Sequence, residues 1–314
     1  MSRTAPTPGR VVQFLEEVEA EKAGHSSIPT PYRQLNHLIG GGLRRGYSSV
    51  LAGPPGNGKS YLAYRLMIFA IEHGFTCAYI PLEYRALDHI RRCMGVVLGS
   101  WGMIADTPDK AEARMDVITK NPDMLQKWEQ IEACVLENPG DVIVGADGVP
   151  YVPNVPYRDV QDLVHHYCME RDLVIVDPIT AIDHEQGRGA AYEQQEAFIK
   201  RVKAITGHSK SHCLLVGHTR RRTAQNGKYG PLGNDDVAGS LALSRFAQYM
   251  LLLDYHDTRE SWAEKGPAMG QSVEHSRTLF IGKSTFGGGT GQKLAFDFGT
   301  GPSMDELGWV KKND

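Results

Sequence analysis

The residues of this 314-residue chain best suited to chemistry form one octet, Gly53-Pro54-Pro55-Gly56-Asn57-Gly58-Lys59-Ser60, which fits the pattern G-x-x-x-x-G-K-[ST]. Glycines in such a loop let several backbone N–H groups converge on phosphate oxygens, and a helix beginning at its end adds its positive pole. Lys59 supplies a compact charge for β- and γ-phosphates, and Ser60 a hydroxyl ligand for Mg2+. A carboxylate able to hold that ion through its water shell ends the apolar run Leu173-Val-Ile-Val-Asp177. An aspartate before Pro178 can also simply open a turn, but the complete phosphate loop upstream favours the metal reading. Glu83 closes another apolar run, Cys77 to Leu82, where a carboxylate can orient and deprotonate an attacking water. Its bland alternative is a glutamate held by the dipole at a helix N-terminus. Together these residues specify hydrolysis of a nucleoside triphosphate, with ATP and Mg2+ as the ligands.

The elements around these residues are set by pattern. An apolar run at 48–52 reads as a buried strand, followed by a helix over Tyr61 to His73 and a strand over Cys77 to Leu82. Arg85 to Glu137 is mostly helical in pattern, and Asp141 to Val144 reads as a strand. Beyond it come a helix over 159–170, the strand ending at Asp177, a helix over about 190–206 and the strand 213–218 ending in His218. A polar loop at 219–236, a helix near 240–247 and the strand 248–254 come next. Strands at 278–283 and 293–298 flank a Gly-rich turn. Strands alternating with helices predict an α/β fold of the P-loop NTPase kind, a mostly parallel twisted sheet with helices on both faces and a C-terminal β-hairpin. Residues 1–30 read as a tail with a short amphipathic helix, in which Val11, Phe14, Leu15 and Val18 share one face. Residues 31–314 form the ATPase domain.

Composition excludes several classes. Apolar residues at 41% and charged ones at 23% are ordinary for a soluble globular protein. A formal charge of −3 gives no global nucleic-acid signature, so any DNA contact must rest on local basic patches. The five cysteines are scattered, without a CxxC pair or metal cluster, as suits a reducing cytoplasm. Neither a membrane-length apolar run nor a secretory signal is visible, and the expected location is cytoplasmic.

The order of these motifs resembles the RecA-like motor domain of DnaB-type hexameric replicative helicases, including Twinkle and the helicase half of phage helicase-primases. The likeness spans about residues 11–300. Ile28-Pro-Thr-Pro-Tyr-Arg-Gln-Leu and Gly40-Gly-Gly-Leu43 are similar to that family's entry motif. The resemblance implies that Glu83 is the catalytic glutamate and that His218 is the polar γ-phosphate sensor. It implies that the segment Thr219 to Gly230, with Arg220, Arg221, Arg222, Lys228 and Tyr229, faces a channel and grips single-stranded DNA. A solvated basic loop is the alternative. The loop after Asp177, with Arg188, is a weaker candidate for the same strand. Asn234 to Arg245 resembles the family's D-x-x-G-S motif, where Ser240 suits a helix start. Tyr255 and Phe298 fall near positions where some relatives stack the nucleotide base, although ordinary packing or a place at the rim is the favoured account of them.

By the same resemblance the partners are single-stranded DNA, further copies of the chain in a hexamer, and a primase or loader protein. The helix near the N-terminus sits where relatives dock on a neighbouring subunit. The chain departs from the family in lacking an N-terminal partner-binding domain or a primase domain. It departs again at Gly282-Lys283-Ser284-Thr285, where relatives carry Lys-x-Arg reaching the neighbour's γ-phosphate. Thr285 stands at the arginine position, which leaves Lys283 as the expected substitute. A recombination ATPase of the same fold, or a nucleotide-driven switch protein that does not unwind DNA, are the alternative functions.

Overall fold

The computed structural model describes residues 26–103, 108–144, 149–153, 155–183, 188–220, 232–237, 240–255, 262–264, 272–299 and 301–310, with scattered helical positions among 11–19. Period-two alternation of large apolar residues organises the domain. In β3 (Tyr47–Gly53), Leu51 packs into one core while Val50 and Ala52 pack into another. The same split recurs in β4 (Cys77–Pro81), β7 (Leu173–Asp177), β8 (His212–His218) and β9 (Tyr249–Tyr255). A strand with apolar side chains on both faces must be covered on both.

One face receives α1 (Arg33–Ile39), α2 (Lys59–Glu72), α3 (Ala86–Leu98) and α5 (Pro122–Glu132), the last preceded by α4 (Pro108–Lys120). The other receives α6 (Tyr157–Glu170), α7 (Arg188–Ser209) and α8 (Ser240–Phe246). The five strands β9-β3-β8-β7-β4 run parallel, and the phosphate-loop strand β3 lies between β9 and β8. Register aligns Gly53 with His218 and Pro81 with Asp177, so the four strand ends meet along one edge. Open parallel sheets bind their ligands outside this carboxyl edge.

The C-terminal hairpin is present as β12 (Arg277–Ser284) and β13 (Lys293–Phe298), antiparallel to each other. It belongs to a larger wing than the sequence pattern indicates. β14 (Met304–Val310) continues it, then β10 (Trp262–Glu264) and β11 (Ser272–Glu274), while β12 pairs antiparallel with β9 and joins the wing to the parallel half.

Other boundaries move for physical reasons. The helical stretch after Arg85 breaks at Gly99, which caps α3 in a left-handed conformation, φ 61. The strand expected at Asp141 to Val144 shrinks to β5 (Ile143–Val144), which pairs only with β6 (Pro150–Tyr151) off the main sheet. Val142, Ile143 and Val144 stay exposed there, so no core fixes a longer strand. The folded unit starts earlier than residue 31, because β1 (Ser27–Ile28) pairs with β2 (Leu43–Arg44) and Ile28 is buried. Near the N-terminus Val11 and Leu15 are exposed and Val18 is half-buried, whereas Phe14 lies outside the described residues. Among the described residues no helix is long and apolar enough to cross a membrane.

Candidate active site

The octet forms the turn between β3 and α2. Gly53 leaves the strand where a Cβ would come within 2.2 Å of the Leu253 carbonyl oxygen, so the neighbouring strand itself demands glycine. Gly58 takes φ 97, a region open to glycine, and starts α2 without a side-chain cap. Its first turn also lacks acidic residues. The first N–H groups of α2 therefore face the loop with no side-chain acceptor from their own N-cap, the arrangement that suits an anion. Pro55 and Gly56 are exposed, while Asn57 and Lys59 are buried.

Lys59 curls back so that Nζ donates to the Pro54 carbonyl at 2.7 Å. Burial lowers its pKa to about 8, against the opposing pull of Asp177 and Glu83. Asp177 is raised by burial, opposed by hydrogen bonds from the Tyr79 and Ser60 hydroxyls and by the charge of Lys59. Ser60 of the phosphate loop and Asp177 of β7 are thus already joined, the pair a hydrated Mg2+ requires. The site fits the ion: a buried carboxylate, a hydroxyl and a lysine converge at the carboxyl edge. Glu83 lies exposed two residues past β4, and its charge is felt by both Lys59 and Asp177.

His218 ends β8 beside Gly53. Its pKa is lowered by burial and by Lys59, so the ring is neutral at pH 7, and its Nδ1 is buried without a partner. The next residue, Thr219, has its Oγ1 buried and equally unpartnered. Arg220 is exposed, its backbone N–H tied to the Asp236 carbonyl at 2.7 Å. Arg221, Arg222 and Lys228 lie outside the described residues, and Arg188 is placed only as the first residue of α7.

Phe298 covers the loop from the wing. A Cβ on Gly58 would approach its ring to 2.9 Å, and the ring meets Tyr61 at 5.6 Å and Trp101 at 5.1 Å. Tyr255, half-exposed, ends β9. Arg277 links the two aromatics, with its guanidinium carbon 5.1 Å from the Tyr255 ring centre and 4.3 Å from that of Phe298. Its Nε donates to the Asn57 carbonyl at 3.0 Å. An arginine alone on a strand pattern carried no signal of this role; only the pairing of β12 with β9 brings it over the loop.

Lys283 differs from expectation. Its Nζ donates to the carbonyls of Ser244 at 2.8 Å, Arg245 at 3.4 Å and Ala247 at 2.7 Å, at the end of α8. In the chain as folded it is a helix cap, and reaching a neighbouring subunit would require giving up all three bonds. Thr285 spends its hydroxyl on the Gln248 carbonyl at 3.1 Å, on the same side.

A family profile described as an AAA domain matches residues 15–224. The DNA repair protein RadA of Rickettsia typhi is 34% identical over 270 residues, 86% of this chain, and the match spans 57% of that protein's length. The RadA of Rickettsia prowazekii is 35% identical over a shorter stretch of 79 residues, covering 25% of this chain and 18% of that protein. Among solved structures, the ATPase domain of G40P superposes with a TM-score of 0.66 at 13% identity, covering 98% of this chain and 99% of that one. A DnaB-like replicative helicase, solved to show its interactions with primase, gives 0.65 at 12% identity over 98% of this chain and 68% of the other. With the phosphate loop, the buried carboxylate of Asp177 and the parallel sheet in place, the chain belongs to the AAA domain family and has the RecA-like P-loop ATPase fold of DnaB-like helicase motor domains.

Proposed function

We propose that this chain hydrolyses ATP to move along single-stranded DNA and unwinds duplex DNA as a ring of identical subunits, a hexamer by analogy with the DnaB-like fold. The observation that carries the hydrolytic part is the gathering of Lys59, Ser60, Asp177, Glu83 and His218 at one sheet edge, although they come from four separate segments. Backbone N–H groups of Gly56 to Ser60 cradle the phosphates, and Lys59 exchanges the Pro54 carbonyl for β- and γ-oxygens. Ser60 and Asp177 hold Mg2+, which neutralises charge developing on the phosphates. Glu83 orients and deprotonates the attacking water. His218, neutral and with an unspent Nδ1, senses the γ-phosphate and sits directly before the basic segment Arg220, Arg221, Arg222 and Lys228. That adjacency links the nucleotide state to the DNA contact. Tyr255, Phe298 and Arg277 form the platform for the base.

Hydrolysis measured with and without single-stranded DNA, beside unwinding of a forked duplex, tests the reading. Stimulated hydrolysis with strand separation is expected, and hydrolysis indifferent to DNA refutes it. The similarity to RadA favours one other reading, a recombination ATPase. Closed rings in electron micrographs support the helicase, and open filaments support that alternative.

A further inference from the structure

We propose that Tyr79, backed by Tyr64, His89 and Arg92, is a positioning device for Asp177, a buried chain of donors that fixes the metal carboxylate and ties it to the turn bearing Glu83. The inference rests on the ATPase reading of this site.

Tyr79 on β4 and Tyr64 on α2 are wholly buried. A phenol out of water is costly unless its hydroxyl is bonded, so two of them in one core need an account of every proton. Tyr79 donates a short hydrogen bond to Asp177 Oδ2. The Tyr64 hydroxyl interacts with those of Tyr79 and with Arg92, and lies 2.7 Å from His89 Nδ1. The three rings pack together, Tyr64 5.4 Å from Tyr79 and Tyr79 5.1 Å from His89.

The direction of the chain follows from what each group can give. Ionised Asp177 only accepts, so the Tyr79 proton points to it. Arg92 only donates, so it gives to the Tyr64 oxygen. The one proton of neutral His89 is placed on Nδ1, donating to the Tyr64 oxygen at 2.7 Å and leaving Nε2 bare. That nitrogen is buried without a partner, as a lone pair tolerates better than an N–H. Burial holds His89 neutral, its pKa lowered to about 4 with Arg92 adding to the effect.

At the far end the Arg92 guanidinium carbon lies 4.1 Å from the ring centre of Tyr84, the residue after Glu83. The Tyr84 carbonyl is held by Asn138 Nδ2 at 3.2 Å. The carboxylate for the metal and the turn of the general base are therefore joined by one run of contacts, buried at Tyr79, Tyr64 and His89 and reaching the surface at Arg92 and Tyr84. Simple satisfaction of buried tyrosines accounts for the bonds but not for their ending on these two groups.

The test uses Tyr79→Phe in the full chain, which keeps the ring and removes only the donor. A fluorescent ADP analogue is bound first in EDTA and then during titration with Mg2+. Metal-free affinity within about twofold of wild type is expected, with the Mg2+ needed for half-maximal tightening raised about tenfold, the scale of one hydrogen bond to a charged group. Unchanged Mg2+ dependence in a folded variant overturns the proposal. Absence of any Mg2+ response in the wild type overturns instead the ATPase reading beneath it. Nitrogen-15 NMR of histidine-labelled wild type decides independently, and alone should the variant not fold. Protonated Nδ1 with bare Nε2 at His89 is expected, and an Nε2–H tautomer or an imidazolium overturns the one-way chain.

Discussion

A lysine and a histidine can be compared at each edge of the parallel half of the sheet, and the two pairs are treated in opposite ways. At the amino edge Lys283 spends its ammonium on three carbonyls, and His212 uses both nitrogens, Nε2 on Ser49 Oγ and Nδ1 on the Arg44 carbonyl, each at 2.7 Å. At the carboxyl edge Lys59 has a single carbonyl from its own loop, and His218 Nδ1 has nothing. Residue types are the same; what differs is the hydrogen-bonding capacity left over. A buried polar group that the fold leaves unspent costs stability, and of these two histidines only His218, beside the phosphate loop, carries such an atom. The amino edge shows the cheaper arrangement available to the same side chains.

The largest expected effects lie on the unspent edge. Lys59→Ala removes the charge aimed at the phosphates and should lower hydrolysis by about 10²- to 10³-fold or more, with the thermal midpoint little changed. Glu83→Gln, exposed and outside the core, should retain binding of a fluorescent nucleotide and lose turnover by about 10²- to 10⁴-fold. A Glu83→Gln protein that hydrolyses at the wild-type rate would remove this residue as the base.

At the amino edge the effects should fall on stability. Burial lowers the His212 pKa to about 4 from an ordinary value near 6.5. Its neutral form is therefore favoured on folding, and this contribution is intact above pH 6.5 and lost as pH falls toward 4. By pH 5 the loss amounts to about 2 kcal/mol. Urea unfolding of wild type and His212→Gln at pH 8 and pH 5 should show a pH difference smaller by about that amount in the variant; equal differences would contradict the burial argument. Lys283→Ala should cost about 1 kcal/mol through the lost cap while hydrolysis continues. An intact oligomer of this variant that fails to hydrolyse ATP would instead restore Lys283 as a cation acting on the neighbouring subunit.

The contrast also shows why some of the molecule is legible in sequence and some is not. Gly53 to Ser60, the run ending at Asp177 and the strand ending at His218 are local patterns, and period-two burial leaves little freedom in where such strands lie. Five parallel strands and the helices on both faces follow from them. Lys283 matches a family position by type and spacing, whereas its contacts in the folded chain are with carbonyls at the end of α8, 36 to 39 residues earlier in the chain. Arg277 and Tyr79 gave no signal, since their partners, Asn57 and Asp177, are distant in sequence and joined only by sheet pairing. The strand expected at Asp141 to Val144 shortens to two residues because β-branched residues alone do not create a buried face.

The smallest expected effect concerns where the unspent edge continues outward. Arg220 leaves the sheet directly after His218 and Thr219, exposed, with its backbone held by Asp236 and its side chain facing solvent. The backbone anchor gives this position a defined start, while an exposed guanidinium costs nothing to bring to a phosphate. Each phosphate contact on a single strand contributes about 0.7 to the slope of log affinity against log salt. Arg220→Ala should thus weaken single-stranded DNA binding modestly and reduce that slope by about 0.7, leaving binding of a fluorescent nucleotide unchanged in the absence of DNA. A nucleotide-affinity change with an unaltered salt slope would place Arg220 with the phosphate site instead, moving the boundary between the two functions one residue along the chain.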